Sequence, residues 1–226
     1  MNRETQQVIL QLAQNARPVR PLRRPYVRAA VWVVISMIFV AGMVLIIPAD
    51  HDLLRQFAER SFVIEQFAAL ATGIAAGLAA FVTVIPGGDR RWALLPLLPI
   101  SLWLGSLAPS CFREFTRMGT QVFLVPHSLW CLPSIVLLGT VPALAMVVML
   151  RRGAPLTPHL TAALGGLAAA GIGNIGVRFI HPEDVSVMLM VWHVGGVMLL
   201  CAFAGSAGRH FLNWRSIIGA SENIAR

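Results

Sequence analysis

The sequence predicts an all-α membrane protein: six transmembrane helices with both termini on the cytoplasmic side. Three observations carry that expectation. Six apolar runs, at residues 26–47, 61–85, 91–107, 128–150, 160–180 and 185–208, alternate with segments that hold most of the charge. About 20 apolar residues at 1.5 Å rise cross a bilayer's hydrocarbon core, and every run but the third meets that length. All eighteen basic residues are Arg, and they divide unevenly. Thirteen fall in the N-terminal segment, the second and fourth connections and the C-terminus, and five on the other side. Short Arg-rich segments stay cytoplasmic, which sets the orientation. Finally, charged residues make up only 12% of the chain and hydrophobic ones 57%, against about 25% charged in soluble domains.

The elements follow in chain order. Residues 1–25 form a cytoplasmic N-terminal segment, 26–208 the transmembrane domain and 209–226 a cytoplasmic tail. Thr5 is placed to cap a short helix reaching Asn15, with Val8, Ile9 and Leu12 as an apolar patch among Gln residues. Such a helix is marginal in water by itself and is expected to fold on a partner. The stretch from Arg17 to Arg28 carries Pro18, Pro21 and Pro25 and is expected to be extended, since each Pro restricts its predecessor too. Too much polar sequence precedes the first run for a cleaved signal peptide, so that run is expected to be a retained anchor. The second run holds Gly73 and Gly77 as a GxxxG pair, the fifth a row of Gly165, Ala169 and Gly173, and the sixth Gly195, Gly196 and Gly205. Small residues let helices approach closely in lipid, which predicts one packed bundle rather than a pore.

Composition and spacing also weigh against several functions. The net charge of +8 is dispersed along membrane edges, where topology and anionic lipid account for it, so direct nucleic-acid binding is not expected. No paired carboxylates, nucleophile–base arrangement or dense metal motif points to an enzyme. A small transporter or channel subunit is the rival reading, with Glu65, Asn174 and His193 lining a path beside Arg178. Glu65 and Arg178 lie near the ends of their runs, where they are expected to snorkel to the surface.

Cysteine and histidine give a second pattern. Cys111 and Cys131 fall on the side opposite the Arg-rich loops and are allowed to bridge there. Cys201 lies sixteen residues into its run, roughly 24 Å deep, and reads as a small buried residue. His127 and Cys131 are four positions apart, and His181 opens the last loop on the same side. Thiolate and imidazole together suit zinc or copper, although scattered donors are a weaker pattern than a compact motif.

The order of several short stretches then becomes recognisable. From Trp130 the chain reads Trp130-Cys131-Leu132-Pro133-Ser134-Ile135, then Leu150-Arg151-Arg152-Gly153-Ala154-Pro155. A Gly/Ala-rich run, His181-Pro182-Glu183-Asp184, Val191-Trp192-His193 and Gly205 through Arg209 to Trp214 follow. Arg17-Pro18-Val19-Arg20-Pro21-Leu22, Glu65 and Pro86-Gly87 before Arg90-Arg91 fit in the first half. Nearly the whole chain resembles the NrsF family of membrane anti-sigma factors, negative regulators of extracytoplasmic-function (ECF) sigma factors.

The resemblance implies a regulator of the bacterial inner membrane, not an enzyme. It implies six spans, an ECF sigma factor held at the cytoplasmic face, and release on periplasmic oxidant or heavy-metal stress. The family's sensor is a pair of cysteines, one opening the fourth span and one in a Cys-Pro-Glu-Asp loop. Cys131 matches the first; His181 stands at the second. Three readings of that departure stay open. Cys131 and His181 form a thiolate/imidazole site for transient Zn or Cu, with His127 or Cys111; Cys131 acts through sulfenic acid or a bridge to Cys111; or redox sensing is lost. On the cytoplasmic side, residues 1–24 are the expected sigma-binding region, with Val8, Ile9 and Leu12 as apolar contacts and Arg17 and Arg20 meeting acidic surface. No resident cofactor is expected.

Overall fold

The computed structural model describes residues 3–14, 22–47, 53–85, 87–119, 131–153, 157–180 and Gly195. All regular structure there is helical: α1 (Arg3–Gln14), α2 (Pro25–Ile46), α3 (Leu53–Ala58), α4 (Arg60–Thr83), α5 (Leu97–Met118), α6 (Cys131–Leu150) and α7 (Pro158–Ile180). A short 3-10 turn, Arg90–Leu94, precedes α5. Asp89 caps that turn by accepting from the Arg91 backbone N–H at 2.9 Å.

Among the described residues, four stretches are long and apolar enough to cross a membrane: Pro25–Ile46, Arg60–Thr83, Arg91–Arg117 and Pro158–Ile180. The fourth predicted run appears as α6, whose shorter apolar part is Val136–Leu150. The sixth run, 185–208, lies outside the described residues but for Gly195.

Two local expectations are corrected. The third run was expected to stop at 107, yet α5 continues to Met118. Pro109, Arg113, Glu114 and Arg117 interrupt the apolar run but not the helix; a Pro removes only one backbone donor. Gly119 ends it with φ 57°, a left-handed value that suits Gly after a helix. The N-terminal helix starts at Arg3, so Thr5 sits inside its first turn rather than ahead of it.

The contacts give the helix directions. Trp32 of α2 meets Pro142 of α6, and Arg28 meets Met149, so α2 and α6 are antiparallel. Glu65 of α4 pairs with Arg178 of α7, and Thr83 with Thr161, so these two are antiparallel as well. One end of the bundle therefore collects the start of α2, the end of α4, the end of α6 and the start of α7. Arg23, Arg24, Arg28, Arg91, Arg151 and Arg152 belong to that end. Arg60 and Arg178 belong to the other, which the start of α6 shares. Among the described residues, Arg is thus distributed over two ends of one bundle, and the pairs Arg23/Arg24 and Arg151/Arg152 share one of them.

Helices α4 and α7 form the centre. A Cβ on Gly171 of α7 would lie 2.8 Å from the Ala69 carbonyl oxygen and 2.9 Å from the Gly73 nitrogen, so backbone meets backbone there. Only the missing side chain allows this approach, and in lipid such packing, not water exclusion, joins helices. Around the seam a core of Trp32, Phe81, Met146, Leu150 and Ile172 is closed. A smaller cluster of Trp103 and Leu107 docks α5 on Ala68 and Ala69. The outer face of α2 is a stripe of Val31, Val34, Ile35, Ile38 and Leu45, all exposed. Its inner face carries Ala29, Trp32, Ser36 and Val40. Aliphatic outside and small or polar inside is the pattern of a lipid-facing helix.

Candidate functional site

Two regions combine chemistry with placement. At the end where α6 begins, Arg178 Nε stands 3.1 Å from Glu65 Oε1. The Glu65 side chain is buried at 5% exposure, and that of Arg178 is largely covered at 14%. The expected snorkelling does not occur, because α4 and α7 approach closely enough for the two charges to meet inside the bundle. A paired guanidinium and carboxylate satisfy each other where water is absent. Asn174, one helical turn below Arg178, is buried beside this pair with 3% exposure.

Aromatic rings close the same region. Phe57 of α3, Phe62 of α4 and Phe179 of α7 form a triangle with centroid separations of 6.0, 5.7 and 5.5 Å. Arg178 also faces the Phe62 ring, 5.7 Å from its centroid. Edge-to-face rings and a cation over a ring each add attraction beyond area burial. Three separate helices are thereby tied together. The sequence contained no signal for this cap, because its members are far apart in the chain and α3 is only six residues long.

The sensing residues fall at this end only in part. Cys131 is the first residue of α6, and its side chain lies outside the described set, as do His127 and His181 entirely. His181 follows directly on Ile180, the last residue of α7. Cys111 is half-buried within α5, not in a loop. Among the described residues no group of three or more His, Cys, Asp or Glu gathers to hold a metal ion. Of the rival transport residues, Glu65 is closed against Arg178, Asn174 sits beside the pair, and His193 is not described.

The second region is α1, which precedes α2 in the chain. Val8, Ile9 and Leu10 are exposed at 53%, 50% and 60%. Val8 and Ile9 match the predicted apolar patch and Leu10 extends it. The side chain of Leu12 and all of Arg17 and Arg20 lie outside the described set. Among the described residues, this exposed run of aliphatic side chains flanked by Gln is not packed against another element.

A family model described as NrsF, negative regulator of sigma F, matches residues 12–214. The chain belongs to the NrsF family. The match takes in the whole Glu65–Arg178 region but begins at residue 12, so Val8, Ile9 and Leu10 of α1 precede it. A member of this family is a negative regulator of a sigma factor, and a sigma factor is its partner. No curated protein and no solved structure matches the chain.

Proposed function

We propose that this NrsF protein is an inner-membrane anti-sigma factor with both termini cytoplasmic and six spans. It holds an ECF sigma factor through its N-terminal segment and releases it on metal or oxidative stress at the opposite membrane face. The observation that carries the reading is α1. Its Val8, Ile9 and Leu10 are exposed to solvent, and the Arg-rich sequence that follows them suits an acidic partner surface. Residues Arg17 and Arg20 extend that segment toward the membrane.

The test is deletion of residues 2–20 from the full chain. The truncated protein inserts normally, no longer co-purifies the sigma factor, and leaves its regulon active. A truncated chain that still retains the sigma factor would sink the assignment.

The sensing half of the proposal rests on Cys131 opening α6 beside the end of α7, where His181 follows in sequence. Its trigger is oxidation of the Cys131 thiolate, or coordination of zinc or copper by Cys131 with His181. Replacing Cys131 by Ser then alters induction by metals or oxidants. An identical response of the C131S strain to every agent tried removes Cys131 from the mechanism.

A further inference from the structure

At the Arg-rich end a groove of about 690 Å³ opens between the start of α2 and the end of α6. Arg23, Arg28 and Arg152 line it, and among the described residues no carboxylate does. Its remaining wall is apolar and includes Val27, Val31 and Met149. Arg28 is the unusual member. It is only 6% exposed although it lies one turn into a membrane-crossing helix.

Part of the Arg28 side chain is accounted for within the bundle. Its Nη2 donates to the Met149 carbonyl, one of the last carbonyls of α6, which lack partners in their own helix. The guanidinium lies over the Phe81 ring, 4.7 Å from the centroid. Its Nη1, however, is buried with no hydrogen-bond partner. A buried guanidinium nitrogen without an acceptor is costly. Two further Arg at the rim make the groove a concentration of positive charge.

We propose that this groove binds the phosphate of an anionic phospholipid. The chemistry is that of phosphate recognition by clustered guanidiniums. The apolar wall selects the lipid as the source of the phosphate. Val27 and Val31 continue from the charged rim along the outer face of α2, where an acyl chain runs beside a helix, and free phosphate leaves that wall bare. The proposal rests on α2 crossing the membrane and is independent of the sigma-binding and sensing assignments.

The experiment uses the full chain in nanodiscs of equal phosphatidylglycerol and phosphatidylcholine, followed by native mass spectrometry of the lipids retained on release. Phosphatidylglycerol is retained preferentially by the wild type. Preference falls about fivefold for each charge removed in R23Q, R152Q and their double variant, since a juxtamembrane Arg contributes about that factor toward anionic lipid. Both positions are exposed, so these variants keep their helix content by circular dichroism; R28K, which keeps the charge, retains most of the preference. Equal retention of the two lipids by the wild type overturns the proposal. Displacement of phosphatidylglycerol by millimolar inorganic phosphate overturns the lipid as the source. Loss of the sigma factor from R23Q/R152Q with lipid preference unchanged also overturns it, by making the groove a protein contact.

Discussion

The Glu65–Arg178 pair gives a prediction whose size follows from its geometry. At 3.1 Å and an effective dielectric of about 20, the attraction is about 5 kcal/mol. Desolvation of both ions offsets much of it, so the net value of the intact pair is small. Breaking one side is a different matter. Arg178→Met leaves the Glu65 carboxylate buried and uncompensated, at a cost of about 3–5 kcal/mol. Glu65→Leu costs less, about 2–3 kcal/mol, because Arg178 is the more exposed partner and keeps the Phe62 ring. The double variant carries no buried charge and stands within about 1 kcal/mol of the wild type. A double-mutant cycle therefore yields a coupling of at least about 4 kcal/mol. It is measured by SDS-induced unfolding in mixed micelles, followed through tryptophan fluorescence and far-ultraviolet circular dichroism. Additive single effects, agreeing to about 0.5 kcal/mol, would refute a buried pair and return both residues to the membrane surface.

Three more predictions use the same unfolding assay or a binding readout. Gly171→Ala destabilises the bundle by about 1–3 kcal/mol, because its Cβ would sit 2.8 Å from the Ala69 carbonyl. Gly139→Ala, which meets nothing within 4 Å, is neutral in the same measurement. Trp32→Phe loses the 2.9 Å bond from the indole N–H to the Pro142 carbonyl and costs about 1 kcal/mol. Both V8D and I9D lower the amount of co-purified sigma factor by about tenfold or more while leaving the unfolding midpoint unchanged, since both side chains are exposed.

The helices that cross the bundle were legible in the sequence to within a few residues wherever apolarity ran unbroken. Run 26–47 became Pro25–Ile46, 61–85 became Arg60–Thr83 and 160–180 became Pro158–Ile180. In lipid the backbone must satisfy itself, so an apolar run of that length has few alternatives to a helix. Helix α5 was less legible, because Arg113 and Arg117 end the hydropathy signal while the hydrogen-bonded helix continues. Small-residue rows marked the right helices but not their partners. Gly73 and Gly165 identify packing faces, yet nothing local says that Gly73 meets Ile172 or that Gly165 meets Met146. The same gap hid the candidate site. Glu65 and Arg178 each read as interfacial residues when taken alone. Their pairing depends on which helices are neighbours and on their antiparallel direction, both long-range properties. Arg28 likewise read as one more topology-setting charge, and its role at the end of α6 follows only from α2 lying against α6.

The glycine seam between α4 and α7 also bears on the genetics of this regulator. A first- or second-position base change in a glycine codon yields, wherever it leaves a residue at all, one with a Cβ or more. At Gly171 the nearest obstacles are main-chain atoms of Ala69 and Gly73; at Gly73 they are the Ile172 side chain and the Ala168 carbonyl oxygen at 3.1–3.3 Å. No replacement that one base change can reach is small enough at Gly171. Spontaneous mutants selected for escape from repression are therefore enriched in missense changes along this seam. At outward-facing positions such as Ile38 and Phe67, at 70% and 69% exposure, a change to another apolar residue stays silent. The contact that holds the two helices closest is also the narrowest target for drift.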